Sequence, residues 1–175
     1  MIEVRTAAPD DAALLHRLAA ATFALACPPH TTAAAIEDFI ATVLSEARFA
    51  GYLTDPERLL FVASDSAVPV GYSMVVFGEP DDSDAAAAIT LRPTAELSKI
   101  YVLEGHHGTG VARALMDASI AAAHARGAAG MWLGVNQENE RANSFYEKRG
   151  FAKVGTKRFL VGDRYEHDFV RALQL

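Results

Sequence analysis

KIYVLEGHHGTGVARALMDASI, residues 99–120, runs from an apolar stretch through a short glycine-rich turn into a helical pattern, and the reading of that turn decides the fold. Glycines at a helix start leave the first N–H groups of the helix open to an anion, a device shared by unrelated site types. A nucleoside-triphosphate loop needs G-x-x-x-x-G-K-[ST]. Here Val111 and Ala112 follow Gly110, so no lysine reaches phosphates and no hydroxyl meets magnesium. A dinucleotide fingerprint needs a third glycine after the first strand of a βαβ unit. Arg113 takes that place, the turn follows the fourth or fifth strand, and the next strand, GMWLGVN, closes on an amide rather than an acid. Both readings are weak on these residues.

The rest of the chain narrows the choice. Its 175 residues fit one domain, expected to span residues 1–175, with a core large enough to need no disulfide or metal staple. Hydrophobic residues make up 51% and charged ones 22%, an ordinary globular balance. No segment approaches the ~20 apolar residues of a membrane span and MIEVRTAAPDD carries no signal pattern, so a cytoplasmic protein is expected, with no membrane partner. The net charge of −6 argues against a nucleic-acid partner and is compatible with a cationic small substrate. Cys27 is the sole cysteine, which excludes an internal disulfide and a cysteine-rich zinc site; it reads as an inert, half-buried small residue.

Periodicity supplies the element order. IEVR reads as a strand, and PDDAALLHRLAAATFALA as a helix with Leu14, Leu15, Leu18, Thr22 and Leu25 on one face. After CPPH, Thr31 or Thr32 caps a second helix whose stripe runs from Ile36 through Phe39, Ile40, Val43 and Leu44 to Ala47. LLFVAS and VPVGYSMVVF predict a hairpin, and AELSKIYVL a third consecutive strand. Between them the acidic run Glu79 to Asp84 reads as a mobile surface loop. A helix stopped by Gly127, the strand GMWLGV with Met131 and Trp132 in the core, a helix capped by Asn139, and a final hairpin complete the order βααβββαβαββ. Three strands in a row before the glycine turn make this an α+β domain with a mixed, mostly antiparallel sheet, not a doubly wound one.

Strand, H-H-G-T-G-V-A, helix, strand and a second short helix ending FYEKRGF resemble the GNAT superfamily of acyl-CoA-dependent N-acetyltransferases. The family signature Q/R-x-x-G-x-G/A falls on His107, Gly108, Thr109, Gly110, Val111 and Ala112, with His107 standing where glutamine or arginine is usual. The pattern N-x-x-A-x-x-F-Y-x-x-x-G-F is met without a gap by Asn139, Ala142, Phe145, Tyr146, Gly150 and Phe151. WLGV followed by EN, and the tail from Phe159 to Asp168, look most like the bacterial spermine/spermidine acetyltransferase branch.

The resemblance implies transfer of acetyl from acetyl-CoA, as cosubstrate, to a small-molecule primary amine such as a polyamine. A protein N-terminus, an amino acid, an antibiotic amine, or a non-catalytic acyl-CoA sensor are the alternatives. It implies that the N–H groups from His107 through Ala112 cradle the pyrophosphate, and that Tyr101, Val102 and Leu103 offer backbone groups to the pantetheine arm. It makes Val102 N–H the candidate oxyanion donor and Tyr146 the candidate acid for the departing thiolate. Asn139 is a cap or a cap that also meets the cofactor, and Lys148 a helix-end charge or a phosphate contact. Glu96, just ahead of KIYVL, is the candidate base, with His106 behind it. Neither adjacent histidine has a third partner at metal spacing, so no metal is expected. Homodimerisation through the C-terminal hairpin edge is possible on this reading.

Overall fold

The computed structural model describes all 175 residues. Its seven strands form one sheet in the order β1-β2-β3-β4-β5-β7-β6: β1 (Ile2–Thr6), β2 (Arg58–Asp65), β3 (Val68–Phe77), β4 (Thr94–Val102), β5 (Gly130–Asn136), β6 (Ala152–Val161) and β7 (Arg164–Gln174). Only the β4–β5 pair is parallel; every other pairing is antiparallel. The expected α+β class with a mixed, mostly antiparallel sheet is the one observed. No helix is long and apolar enough to cross a membrane.

Helices cover both faces. On one, α1 (Ala12–Ala26), α2 (Ala33–Thr42) and α3 (Glu46–Thr54) pack Leu15, Phe23 and Phe49 against Leu60, Val62 and Tyr72. On the other, α5 (Val111–Ala125) sets Val111 and Leu115 against Phe61, Val70 and Val102. Beside it α6 (Glu140–Lys148) sets Tyr146 into a cluster with Leu97, Leu133, Val135 and Phe151. The alternation of each strand makes this possible, since residues two apart share a face.

Three expectations are corrected. The stripe from Ile36 to Ala47 is two helices, not one: α2 ends at Thr42, and Ser45 accepts the Arg48 N–H at 3.2 Å to start α3. The acidic run is irregular from Glu79 to Asp82, as expected, but its end is not a loop. Asp82 accepts the Ala85 N–H at 2.9 Å to cap α4 (Ser83–Ala88), and α4 sits on Trp132 and Val170 through the fully buried Ala85 and the nearby Ile89. Leu25, expected on the inward face of α1, is exposed.

One irregularity positions the site. β4 and β5 run side by side only from Thr94↔Gly130 to Glu96↔Trp132. Past Glu96, β4 continues along β3 to Val102 while β5 continues along β7 to Asn136, so the sheet opens into a wedge. The register of β4 against β3 slips between Leu97 and Lys99, and this bulge at Ser98 turns the strand away from β5.

Candidate active site

A cavity of about 320 Å³ occupies the wedge and passes from one face of the sheet to the other. Its wall includes an unpaired strand edge. Leu103 N–H donates to Val70 O at 2.8 Å, and Gly71 lies opposite Val102, so by antiparallel alternation Tyr101 and Leu103 point their backbone groups at β3 while Ile100 and Val102 point theirs into the wedge. Of the three residues expected to present free backbone groups, Val102 alone does so. Its carbonyl accepts the His107 ring at 3.0 Å, which leaves its N–H as the open donor.

The turn after β4 frames the mouth on the α5 side. Gly108 and Gly110 have φ of +78° and +98°, and a Cβ at Gly108 would meet no atom within 4 Å, so the space beside it is open to a ligand. The N–H groups of Gly108, Gly110, Val111 and Ala112 have no backbone acceptor in the turn, as the first turn of a helix dictates. Thr109 is used differently: its N–H and hydroxyl both donate to His106 O, at 3.4 and 2.6 Å, and close the loop. His106 lies 4.0 Å from Asp65, away from the cavity lining.

His107 is tied within the protein. Arginine can only donate, so the 3.1 Å contact from Arg141 Nη1 makes His107 Nδ1 an acceptor; Nε2 then carries the hydrogen given to Val102 O. The ring is the neutral tautomer that joins β4 to α6.

α6 brings the tyrosine. Asn139 accepts the Ala142 N–H at 3.1 Å, and Asn143 donates to both Asn136 O and Asn139 O, while Arg171 Nε holds Asn143 at 3.0 Å. This frame sets Tyr146 against the wedge, its side chain buried and its phenol pushed up by burial. The hydroxyl therefore stays protonated and can only be a donor toward a developing anion.

The other half of the cavity is aromatic and acidic. Phe23 stacks on Phe39 at 4.4 Å, and Phe159 meets Phe39 edge-on at 5.6 Å. Glu96, Glu166 and Asp168 line this half, with Lys99 and Lys157 among them. Burial raises the Asp168 carboxyl to about 6 against the opposing pull of Lys157, whose Nζ is 3.7 Å away. Burial also raises Glu96, although Lys99, Lys157 and Arg58 oppose it. Lys99 falls to about 8 because its ammonium is desolvated, even beside Glu96. At the outer mouth His30 contacts Glu166 at 2.6 Å and Glu138 at 3.9 Å.

The structure thus brings Glu96, Tyr101, Val102, His107, Gly108, Ala112, Asn139 and Tyr146 to one cavity; Leu103, Thr109 and Gly110 belong to the turn beside it, Val111 opens α5, and Lys148 stands exposed outside the cavity. Sequence reasoning missed Asp168, Lys99, Lys157 and Arg141. Asp168 carried a signal, since it ends the tail from Phe159 that was read only as a likeness. The hydroxyl of Tyr101 was also missed; that half-buried side chain lines the cavity with Tyr146 and Asp168, and desolvation pushes its phenol up.

Residues 19–151 match the acetyltransferase (GNAT) family. The chain belongs to that family. An uncharacterized N-acetyltransferase of Mycobacterium tuberculosis is 46% identical over 165 residues, covering 94% of this GNAT chain and 98% of the relative. A mycothiol acetyltransferase of Beutenbergia cavernae is 41% identical over 80 residues, which is 42% of this chain and 27% of that protein. In three dimensions the GNAT chain is similar to the PaiA N-acetyltransferase of Thermoplasma acidophilum in complex with coenzyme A, with a TM-score of 0.79 and 17% identity over 100% of this chain and 99% of that one. It is also similar to the ribosomal-protein-S18-alanine N-acetyltransferase of Escherichia coli, at a TM-score of 0.70 and 20% identity over 99% and 94% of the two chains. As a GNAT acetyltransferase, the protein uses acetyl-CoA as its acyl donor.

Proposed function

We propose that this enzyme moves acetyl directly from acetyl-CoA to a primary amine of a small, extended cation, a polyamine by class. The observation that carries the acceptor class is the second half of the cavity: stacked Phe23 and Phe39 with Phe159 offer an apolar channel, and Glu96, Asp168 and Glu166 distribute negative charge along it. An alkyl chain with spaced ammonium groups matches both features, because its methylenes gain by burial and its charges meet carboxylates.

The donor half fits acetyl-CoA on the same physical grounds. The open N–H groups at the α5 turn face an anion, and the unpaired β4 edge suits the amide-rich arm of the cofactor by strand addition. Acetyl-CoA supplies an acyl group on a thiol leaving group. Val102 N–H donates to the carbonyl oxygen as negative charge builds there, and Tyr146 donates its hydroxyl proton toward the departing sulfur.

Deprotonation of the acceptor comes from the cavity. Lys99 shows what the site does to an alkylammonium: desolvation lowers it to about 8. An acceptor amine in the same space sheds its proton more readily than in water. Asp168, raised to about 6 and still mainly ionised at neutral pH, takes that proton. Glu96 lies at the closed end of the wedge, where β4 and β5 are still paired, and holds the field around Lys99. The nitrogen lone pair then forms the amide bond as the carbon–sulfur bond breaks.

The test is thiol release from acetyl-CoA by the purified protein with spermidine, spermine, putrescine, lysine, an aminoglycoside and a short peptide. Turnover with the polyamines above the rest supports the reading. Preference for the peptide or the aminoglycoside overturns the acceptor class, as does acetyl-CoA binding without release on any polyamine.

A further inference from the structure

The glycine turn offers backbone donors but no cation. Between Leu103 and Ala112 there is no lysine or arginine; Arg113 is exposed and turned along α5 toward Asp117 at 3.8 Å, and Lys148 lies outside the cavity. The cationic side chains on the cavity wall are Lys99 and Lys157, both in the acceptor half, and Arg141 on the α5–α6 side. Building on the placement of the phosphates at the α5 turn, we infer that Arg141 holds the phosphate end of acetyl-CoA and that neutral His107 is the residue that positions it.

Arg141 is exposed and long, so alone it would sample many rotamers. The bond from Nη1 to His107 Nδ1 fixes one of them and leaves the other guanidinium hydrogens free to donate. His107 is itself fixed, through Nε2, to the last residue of β4. A side chain at the expected anion-contact position thus serves as an anchor, and the contact moves to α6.

The anchor works only while the imidazole is neutral. A proton added to Nδ1 faces the guanidinium, so the bond is lost and like charges meet. The groups around the ring are few: Arg141 from α6, the Val102 carbonyl from β4, and in its own turn exposed Glu104 and His106, the latter turned to Asp65 of β2. Ahead of α6, Glu138 turns to His30.

Calorimetric titration with acetyl-CoA, acetyl-dephospho-CoA and acetyl-pantetheine separates the roles. Arg141→Gln is expected to weaken acetyl-CoA by about 10- to 100-fold, the size of one charge-assisted contact, and to leave acetyl-pantetheine unchanged. Persistence of the loss with acetyl-dephospho-CoA assigns the contact to the pyrophosphate; its disappearance assigns it to the 3′-phosphate. His107→Leu weakens binding with the same ligand pattern. His107→Gln restores it, because an amide can both donate to Val102 O and accept from Arg141. Wild-type affinity in Arg141→Gln, beside weakened binding in Gly108→Val, overturns the inference. Unchanged binding in both Arg141→Gln and Gly108→Val overturns the placement of the phosphates on which the inference rests.

Discussion

Asp168 of β7 reaches the cavity over Gly134 of β5: a Cβ at residue 134 would stand 3.2 Å from Asp168 Oδ2 and 2.5 Å from Lys157 Cε. The absent side chain is the space in which the carboxylate and its lysine partner meet. Gly134→Ala pushes Lys157 aside and shifts the carboxylate, and a shift of this size at a reacting group costs about ten- to a hundredfold in kcat/KM. Affinity for acetyl-CoA is expected to be unchanged. Undiminished turnover would remove Asp168 and Lys157 from the reacting centre.

The proton acceptor is tested by pH. With Asp168 at about 6 and acting in its ionised form, log kcat/KM falls as pH drops through about 6. Lys157 lowers that carboxyl, so Lys157→Met moves the acid limb to higher pH. Asp168→Asn loses about a hundredfold or more in kcat/KM and loses the limb with it. A limb unmoved by Lys157→Met, or surviving in Asp168→Asn, assigns the proton to another group, Glu96 first.

Tyr146→Phe removes a donor without changing the ring that packs on Phe151 at 6.1 Å. The packing is kept, so stability and acetyl-CoA affinity should hold while kcat falls by about a hundredfold. Burial pushes this phenol well above its ordinary value, so no alkaline limb from its ionisation should appear below about pH 10. Equal kcat in the variant would leave Tyr146 a packing residue.

Cys27 lines the cavity, which raises the question of an acyl-enzyme route. Desolvation and the nearby Glu166 raise its thiol to about 11, and Sγ donates to Phe23 O at 3.4 Å. A neutral thiol is a poor nucleophile, which favours direct transfer. Cys27→Ala should therefore retain turnover with intersecting, not parallel, two-substrate kinetics, and alkylation of the native protein by iodoacetamide should be slow at pH 7. Loss of turnover in Cys27→Ala with parallel lines in wild type would support the covalent route.

What could be read without coordinates was what neighbours in sequence decide. The β4–turn–α5 unit, the Asn139 cap and the period of each strand are local, and they named the donor side of the cavity wall from Tyr101 to Ala112 together with Tyr146. The misses are tertiary. Asp168 and Lys157 come together only when β6 and β7 pair, Lys157 opposite Asp168. Arg141 and His107 meet only when α6 docks beside the α5 turn. The break after Thr42 was hidden because one helical stripe runs through both α2 and α3, while the Ser45 cap that divides them is a single hydroxyl.

The end of the acidic segment is a last case, since composition argued for a loose loop and packing makes a helix from Ser83 onward. Ala85 is fully buried among Ile89, Trp132 and Val170, and Arg92 pairs with Glu79 at 2.8 Å. Asp82→Ala removes the cap and should cost about 1 kcal/mol in urea denaturation. Ala85→Glu forces a carboxylate into a site with no room or partner and should cost several times more, about 3 kcal/mol or above. A mobile connector would tolerate both changes, so unfolding midpoints equal to wild type in the two variants would restore the loop reading. A midpoint lowered in Ala85→Glu with acetyl-CoA affinity intact would show that α4 braces β5 and β7 under the cavity without touching the donor half.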